Sequence, residues 1–459
     1  LGCSECGEAV VVDPSRDVAR YAEAAAAEGM RIAAVTETHI HADFVSGSRA
    51  LAARTGARLY LSAEGGPEWS YGFAAEAGAT LLRDGEVVRV GGVRLDVLHT
   101  PGHTPEHLSF LVTDAAAADR PIAALTGDFV FVGDVGRPDL LERAAGVAGT
   151  MVEGARALFR SLARFRGQPD WLQVWPGHGA GSACGKGLSA IPHSTVGYER
   201  LFNWAFAIND EDEFVAAVLA GQPEPPRYFA RMKRVNRDGP PLLDGFPDPP
   251  RIPATELRGR LAGGAWVADL RDTQPFAAGH VPGTLNVPLN RSFPTWAGSL
   301  LPYDRDLYLV VPPGQVAEAM RDLALIGLDR VAGWFDAAEV AASGQAAERV
   351  PHVGVDEVRT AVEAGTVGVV DVRAESEWEA GHVPGAVHIP LGALDERLAD
   401  VPRDRPLVLH CQGGARSAMA AALLQARGFR DVSNLAGGFR AWQEAGLPVE
   451  APEPEGIPA

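Results

Sequence analysis

Short apolar runs and amphipathic stretches alternate along the first half of the chain, and Gly, Pro or Asp residues separate them. Amphipathic stretches predict helices, and short apolar runs bounded by turn residues predict strands. In chain order the pattern predicts a helix at 16–29, a strand at Arg31–Thr36, a helix at Ser48–Thr55, a strand at Arg58–Ser62, short strands between residues 80 and 130, and helices at 148–166 and 196–219. Strands and helices mixed in this way favour a layered α/β fold.

The second half of the chain contains an internal repeat. Residues 266–288 and 368–390 both carry Asp-x-Arg followed by Gly-His-Val-Pro-Gly, and equivalent positions are 102 residues apart. Two motifs that recur in the same order predict two related α/β domains. The predicted organisation is a first domain at 1–240, a Pro-rich linker at 241–253, repeat domains at 254–345 and 350–450, and a tail at 451–459.

Composition and charge exclude several classes of partner. The chain of 459 residues has 41 Lys+Arg against 59 Asp+Glu, a net charge of −18, so we expect neither nucleic acid nor an anionic membrane as a partner. No apolar run approaches the ~18 residues of a spanning helix. Four cysteines cannot staple so long a chain, which predicts the reducing cytoplasm as its compartment. The chain begins at Leu1 inside a predicted strand pair, and we expect a native segment to precede it.

Several histidines and aspartates of the first domain follow predicted strands. Imidazole and carboxylate groups from several strand ends are what a catalytic metal requires, with open positions left for substrate. The candidate ligands are His39, His41, Asp43, His103, Asp128 and His178.

The motifs around these residues are His-x-His-x-Asp, Gly-His-Thr, Thr-Gly-Asp and Pro-Gly-His. Over residues 1–240 they resemble the metallo-β-lactamase superfamily, which implies an αββα sandwich. Most hydrolases of that superfamily carry a further His directly after the Asp of the first motif, and it helps to hold a second metal. Phe44 occupies that position here. A phenyl ring cannot coordinate a metal, so the sequence disfavours a binuclear hydrolase.

The resemblance extends to the persulfide dioxygenase branch of the superfamily. It implies one Fe(II) per chain, bound by His39, His103 and Asp128. The other three candidates would contact the ligands or the substrate and orient them without binding the metal: His41, Asp43 and His178. Zinc held by His39, His41 and His103 is the alternative that the sequence leaves open.

A local basic cluster is unusual on so acidic a chain. It lies in the stretch 223–240. The resemblance to the persulfide dioxygenase branch also covers the segments that contain Arg137 and Tyr198. The predicted substrate-binding residues are Arg137, Tyr198, Arg227, Arg231, Lys233 and Arg234. They could bind the carboxylates of glutathione or the phosphates of a CoA persulfide. The alternative is a solvated helix face.

Three cysteines lie in the first domain. Cys184 follows His178 by six residues, and it is either an accessory thiol that accepts or relays sulfur or a buried inert residue. Cys3 and Cys6 form a Cys-x-x-Cys without a second pair, and we predict a structural role for them.

The last domain presents a thiol at the end of a strand. Residues 407–416 read L-V-L-H-C-Q-G-G-A-R and precede a helix. Backbone N–H groups, the helix dipole and Arg416 would lower the pKa of the Cys411 thiol and hold an anion. With the two repeat motifs, this segment resembles the rhodanese family, which implies that Cys411 is the sulfur-carrying nucleophile and Arg416 the anion-binding residue. The first repeat has Val311 and Val316 at these positions, so we expect it to be catalytically silent.

The order of the three domains resembles persulfide dioxygenase–sulfurtransferase fusions. It implies that the chain oxidises the sulfane sulfur of a glutathione or CoA persulfide to sulfite with O₂, and that the rhodanese gives or uses thiosulfate, in sulfide detoxification. The expected partners are the persulfide, O₂ and sulfite or thiosulfate, and a homo-oligomer is compatible with them.

Two alternatives belong to other classes of function. One is a glyoxalase-II-like binuclear thioester hydrolase with an appended sulfurtransferase, which Phe44 disfavours. The other is a persulfide sensor or scaffold with a vestigial first domain, and the intact set of His39, His103 and Asp128 disfavours it.

Overall fold

A computed structural model describes residues 1–145, 149–180, 182, 184–243 and 245–451. The predicted tail lies outside the described residues apart from Ala451, as does Asp244 of the predicted linker. The chain divides into two units, Leu1–Gly245 with Leu325–Gly327, and Phe246–Ala324 with Leu328–Ala459. Among the described residues, no helix combines the length and the apolar character that crossing a bilayer requires.

The first unit contains two sheets and the helices that accompany them. Its strands are β1 (Gly2–Cys3), β2 (Glu8–Val12), β3 (Arg31–Thr36), β4 (Arg58–Ser62), β5 (Thr80–Leu82), β6 (Val87–Val90), β7 (Val93–His99), β8 (Leu108–Asp114), β9 (Ala123–Gly127), β10 (Gln173–Pro176) and β11 (Ser194–Thr195). Its helices are α1 (Val18–Ala27), α2 (Ser48–Thr55), α3 (Leu140–Ala145), α4 (Thr150–Phe165), α5 (Val196–Phe202), α6 (Trp204–Ala207), α7 (Glu211–Leu219) and α8 (Phe229–Asp238).

The two sheets pack face to face. Their strand orders are β1-β2-β3-β4-β5 and β11-β10-β9-β8-β7-β6. Val10 on β2 and Ala34 on β3 share one buried cluster with Leu95 on β7 and Phe110 on β8. Apolar side chains alternate along these strands, so one face of each sheet contributes to the shared core.

Helices cover the outer face of each sheet. Leu51 on α2 packs in one cluster with Leu59 on β4. Leu158 on α4 and Phe214 on α7 pack in another cluster with Val174 on β10. The order of layers is therefore helix, sheet, sheet, helix, which agrees with the αββα sandwich that the sequence resemblance implies.

One helical prediction needs correction. The stretch predicted as a single helix at 196–219 forms three short helices, α5, α6 and α7. The Asn203 side chain accepts a hydrogen bond from the N–H of Ala205 and caps α6. The Asp210 side chain accepts one from the N–H of Glu213 and caps α7. Asn and Asp are strong N-cap residues, so each starts a new helix although the apolar pattern continues through them.

The second unit contains two parallel sheets. Its strands are β12 (Trp266–Asp269), β13 (Leu285–Asn286), β14 (Leu307–Val311), β15 (Val331–Asp336), β16 (His352–Val353), β17 (Gly368–Asp371), β18 (Val387–His388), β19 (Leu407–His410) and β20 (Val432–Leu435). Its helices are α9 (Leu257–Ala262), α10 (Thr273–Ala278), α11 (Phe293–Leu300), α12 (Val316–Leu325), α13 (Ala337–Ala342), α14 (Val355–Glu363), α15 (Glu375–Glu379), α16 (Ala415–Ala426) and α17 (Gly438–Glu444).

The strand register agrees with the predicted repeat. The sheet orders are β13-β12-β14-β15 and β16-β20-β19-β17-β18. Asp269 pairs with Val310 in the first sheet, as Asp371 pairs with His410 in the second. Val311 therefore occupies, in the first repeat, the position that Cys411 occupies in the second.

The motifs shared by the two repeats stabilise the fold. Arg271 binds Asp269 with 2.7 Å between Nη2 and Oδ2, and Arg373 binds Asp371 with 2.6 Å between the same atoms. Each arginine also donates to the carbonyl of the Gly in Gly-His-Val-Pro-Gly, at 3.2 Å and 2.7 Å. The same brace is therefore present in the first repeat, where Cys411 has no counterpart.

Candidate metal centre and thiol loop

Three of the predicted ligands converge in the first unit. The ligand atoms of His39, His103 and Asp128 all lie within 4.8 Å of one another. His39 Nε2 and His103 Nε2 lie 3.9 Å and 3.6 Å from Asp128 Oδ2. His39 follows β3, His103 follows β7 and Asp128 follows β9 directly, so strands of both sheets deliver the three side chains to one edge of the sandwich.

These three residues fit a metal ion. Within the part of the chain that the structure describes, neither carboxylate oxygen of Asp128 has a hydrogen-bond partner of normal geometry, although the side chain is 1% exposed. A buried carboxylate without donors is costly unless it is paired or bound to a metal. Burial raises the pKa of Asp128, but the nearby imidazoles of His178, His103 and His41 outweigh it, so the pKa is lowered overall. The group is therefore ionised.

Both imidazoles of this set present a free Nε2 atom. His103 Nδ1 donates to the Arg137 carbonyl at 3.0 Å. His39 Nδ1 lies 2.9 Å from the Thr38 hydroxyl, which itself donates to Asp13. Burial is the largest cause that lowers the pKa of His39 and of His103. The rings are then neutral with a lone pair on Nε2, which is the form that binds metals.

His41 lies beside this group, with 4.2 Å between its ring centroid and that of His39, and it hydrogen-bonds outside the group. Its Nε2 is 3.1 Å from Asp13 Oδ1, and Asp13 is a residue that sequence analysis missed. Burial lowers the pKa of His41, but the charge and hydrogen bond of Asp13, with help from Asp43 and Glu37, raise it to about 10. Among the described residues, the group whose ligand atoms lie within 4.8 Å of one another contains Asp128 and not His41, and this geometry favours the set of two histidines and one aspartate over three histidines.

A second group lies beside the first. The ligand atoms of Asp43, His178 and Cys184 lie within 4.8 Å of one another, and His178 Nε2 is 3.3 Å from Asp43 Oδ2 and 3.5 Å from Asp128 Oδ1. Burial, followed by the charges of Asp128 and Asp43, raises the pKa of the Cys184 thiol well above its usual range. Cys184 is thus a neutral, buried thiol next to the candidate centre.

The position after Asp43 holds no ligand. The Phe44 ring packs on the ring of His41 with 4.4 Å between centroids.

The thiol loop of the second unit is built around a buried sulfur. Cys411 follows β19 directly, and α16 begins after the left-handed Gly414, with φ 97°. The N–H of Gly414 lies 3.1 Å from Cys411 Sγ and the Ser417 hydroxyl lies 3.5 Å from it. Burial raises the pKa of Cys411, but hydrogen bonds from Ser417 and the charge of Arg416 lower it overall. The loop therefore favours a thiolate.

Arg416 has an ionic partner that sequence analysis missed. Its Nη1 and Nη2 lie 2.6 Å and 2.7 Å from the two carboxylate oxygens of Glu377 on α15. The first repeat has Pro275 at the position that corresponds to Glu377. Thiol, arginine and carboxylate are thus absent together from the first repeat.

Comparisons with known proteins identify the families of two domains. The family model described as metallo-beta-lactamase superfamily matches residues 4–178, and the rhodanese-like domain model matches residues 354–445. A metallo-beta-lactamase from Staphylococcus aureus subsp. aureus COL, known from a crystal structure, is 41% identical in sequence to this chain. The alignment covers 73% of this chain and 94% of the S. aureus chain, with a TM-score of 0.68. The chain belongs to the metallo-beta-lactamase superfamily. Its metallo-beta-lactamase domain is fused to a rhodanese-like domain.

Curated relatives match the rhodanese-like domain. A sulfurtransferase from Allochromatium vinosum is 41% identical over 85 residues, which are 18% of this chain and 79% of the relative. The thiosulfate sulfurtransferase GlpE from Shewanella oneidensis is 38% identical over 94 residues, 20% of this chain and 93% of the relative. Three other curated relatives are covered over only 42% to 59% of their length.

Helix α8 of the metallo-beta-lactamase domain clamps the loop that carries the ligands. The Asn236 side-chain amide donates to the carbonyls of His41 and Phe44, both at 2.7 Å, and its Oδ1 accepts from the N–H of Ser46 at 2.9 Å. Asn236 is 1% exposed and shares the buried face of α8 with Phe229. A lone Asn in an apolar helical stripe is the sequence signal that could have revealed it.

We expect Asn236→Ala to loosen the metal site. Three hydrogen bonds are lost and buried loop groups are left unpaired, which costs about 1–3 kcal/mol of unfolding free energy. Metal affinity should fall by about 10- to 100-fold, as when other groups that orient ligands are removed. Chelator competition and thermal unfolding measure the two effects. Asn209→Ala, at an exposed position, is the control, and equal metal affinity in both variants would contradict the clamp.

One of the predicted substrate-binding residues is inaccessible to solutes. Arg137 is fully buried, and its Nε and Nη2 lie 3.0 Å and 2.8 Å from the carboxylate of Asp139. The assignment of Arg137 to substrate binding is corrected, because a buried, paired guanidinium has no access to a solute. Arg137 instead acts through its carbonyl, which orients His103.

The other members of that set lie nearer the surface. Tyr198 on α5 is 40% exposed. Arg227 and Arg234 are exposed, and Arg231 is half-buried. Lys233 Nζ lies 3.6 Å from the centre of the Trp69 ring, and burial lowers the pKa of this lysine to about 8. Substrate binding by these residues remains a proposal.

Proposed function

We propose that this chain oxidises the sulfane sulfur of a low-molecular-weight persulfide to sulfite with O₂ at one Fe(II), and that it transfers sulfane sulfur through Cys411. The observation that carries the first part is the buried set of His39, His103 and Asp128, whose carboxylate oxygens have no hydrogen-bond partner of normal geometry within the described residues. Two imidazoles and one carboxylate form the ligand set typical of non-haem Fe(II) oxygenases.

The residues around the centre have separate tasks. Bound Fe(II) would supply the redox chemistry and open positions for persulfide and O₂. Thr38 and the Arg137 carbonyl fix the tautomers of His39 and His103, and Asp13 binds the Nε2 atom of His41. Phe44 leaves a second metal short of one ligand.

Cys411 carries the second part of the proposal. Its thiolate attacks the outer sulfur of thiosulfate, the S–S bond breaks, and sulfite leaves with the electron pair while Cys411 becomes a persulfide. In reverse, sulfite accepts the outer sulfur of that persulfide and thiosulfate forms. The names of the two sulfurtransferase relatives support a role in sulfur metabolism. Covalent tethering raises the effective concentration of sulfite at the second site.

Metal analysis together with oxygen uptake tests the proposal. We expect about one iron per chain and, on glutathione persulfide, one O₂ consumed per sulfite formed, because the persulfide, O₂ and water give the thiol and sulfite. Sulfite is measured by derivatisation and O₂ with an electrode. Two zinc ions per chain, thioester hydrolysis and no oxygen uptake would replace the proposal with the glyoxalase-II-like hydrolase.

A further inference from the structure

Two cysteine sulfurs meet at the surface of the first unit, away from the core. Cys3 ends β1 and Cys6 lies in the turn before β2, with 3.1 Å between the two Sγ atoms. Cys3 is half-buried and Cys6 is exposed. The structural role predicted from the sequence does not explain this exposure, because a cysteine used for packing is normally buried.

A glycine turn cradles both sulfurs. Gly91 and Gly92 join β6 to β7, and the N–H of Gly92 lies 3.2 Å from Cys3 Sγ. A Cβ atom at Gly91 would lie 2.7 Å from Cys6 Sγ and 2.9 Å from Cys3 Sγ, and the φ of Gly91 is +54°. Only glycine fits both the conformation and the space, so the turn is shaped around the pair.

The β1–β2 hairpin holds the two sulfurs together. Cys3 pairs with Glu8 across the hairpin, and the N–H of Gly7 donates to the Cys3 carbonyl at 3.0 Å. Sulfur atoms in a disulfide are about 2.05 Å apart, so a shift of about 1 Å within this turn is sufficient to form the bond. Because the hairpin already restricts the conformations of both cysteines, forming the disulfide costs less conformational entropy than it would in a flexible segment.

The two thiols differ in reactivity. The Gly92 N–H, followed by the Cys6 thiol, lowers the pKa of Cys3. The hydrogen bond with the Cys3 sulfur is the largest cause that raises the pKa of Cys6. In thiol–disulfide exchange the thiolate attacks and a neighbouring thiol resolves the mixed disulfide. Cys3 therefore has the properties of the attacking sulfur and Cys6 those of the resolving sulfur.

We propose that Cys3 and Cys6 are a redox-active dithiol that exchanges with low-molecular-weight disulfides. The Cys3 thiolate attacks one sulfur of the small disulfide, forming a mixed disulfide and releasing one thiolate. Cys6 then loses its proton and attacks the Cys3 sulfur, the mixed S–S bond breaks, and the second small thiolate leaves and takes up the proton. Two protein thiols are oxidised and one small disulfide is reduced to two thiols.

Glutathione disulfide is the probe for a test on the full chain. The reduced protein is mixed with it without oxygen, quenched with acid, alkylated and mapped by mass spectrometry. We expect a Cys3–Cys6 disulfide in the unsubstituted chain and a glutathione adduct on Cys3 that accumulates in Cys6→Ser. In Cys3→Ser the adduct on Cys6 should form at least about tenfold more slowly.

Peptide mapping keeps adducts at Cys411 or Cys184 separate, and the measurement does not depend on bound iron. Equal rates of adduct formation in the two variants would contradict the division of roles. Absence of the Cys3–Cys6 disulfide at every ratio of glutathione disulfide to glutathione would overturn the proposal.

A pair of glycine variants tests the cradle. Gly91→Ala should slow formation of the Cys3–Cys6 disulfide by at least about tenfold, because the new methyl group displaces both sulfurs. Gly85→Ala is the matched control: its φ is +80°, but no described atom lies within 4 Å of a Cβ at that position. It carries the same backbone strain without the clash, so equal rates in the two variants would contradict the cradle.

Discussion

We expect Asp128→Ala to abolish iron binding and oxygen uptake on glutathione persulfide. Sulfur transfer from thiosulfate to cyanide through Cys411 should continue unchanged. Asp128 is the only carboxylate in the group formed with His39 and His103, and its removal leaves two neutral imidazoles as ligands. We expect oxygen uptake to fall by at least about 10³-fold, because the metal itself is lost. Iron per chain is measured after desalting.

An isosteric variant separates charge from shape. Asp128→Asn keeps the volume of the side chain but removes the charge that binds a cation. It should lose iron as Asp128→Ala does, whereas Asp119→Ala, which changes a 95% exposed carboxylate, should keep wild-type iron content. Oxygen uptake that persists in either Asp128 variant would show that the ligand assignment is wrong.

Cys411→Ser should have the opposite effect. Sulfur transfer from thiosulfate to cyanide should fall by at least about 10³-fold, because a serine hydroxyl is a far weaker nucleophile than a thiolate and cannot form a persulfide. Iron content and oxygen uptake should not change, since Cys411 lies in the second unit. Cys6→Ser makes the same replacement at an exposed position and is the control. Sulfur transfer retained in Cys411→Ser would exclude it as the nucleophile.

The acid side of the pH profile adds a second measurement at this site. The lowered pKa of Cys411 keeps the thiolate present at pH values where an ordinary thiol is protonated, so transfer should decline only as the pH falls through that lowered value. Ser417 is the largest cause of the lowering once burial is set aside. Ser417→Ala should therefore raise the pKa and move the acid limb to higher pH. If the acid limb of Ser417→Ala lies at the same pH as that of the unsubstituted chain, the Ser417 hydrogen bond does not lower the pKa of Cys411.

Local patterns predict strands well and single out candidate ligands, because both depend on neighbours in the sequence. Arg31–Thr36 and Arg58–Ser62 form strands with the predicted limits, since apolar runs bounded by turn residues need no long-range information. His39 and Asp128 could be singled out because each follows such a run. The sheets set the positions of side chains at strand ends, so the candidate ligands could be expected to lie close together at one edge of the sandwich.

Long-range polar contacts could not be predicted in this way. Asn236 reaches a loop about 190 residues earlier in the chain, and Glu377 reaches Arg416 across 39 residues. Neither lies in a motif with a known spacing. The burial of Arg137 could not be predicted for the same reason. Its ionic partner Asp139 is close in sequence, but the residues that pack around the pair are not. Gly91 is likewise 85 residues from Cys6.

The carboxylate on Arg416 competes with any anion that binds in the thiol loop. Because Glu377 already binds the guanidinium through two short contacts, an anion that binds Arg416 has to compete with this carboxylate. We expect a doubly charged oxyanion of sulfur to compete better than chloride, because Coulomb attraction to the guanidinium increases with the charge of the anion. We therefore expect the ion pair to lower the affinity of the loop for all anions, and to lower it least for those of higher charge.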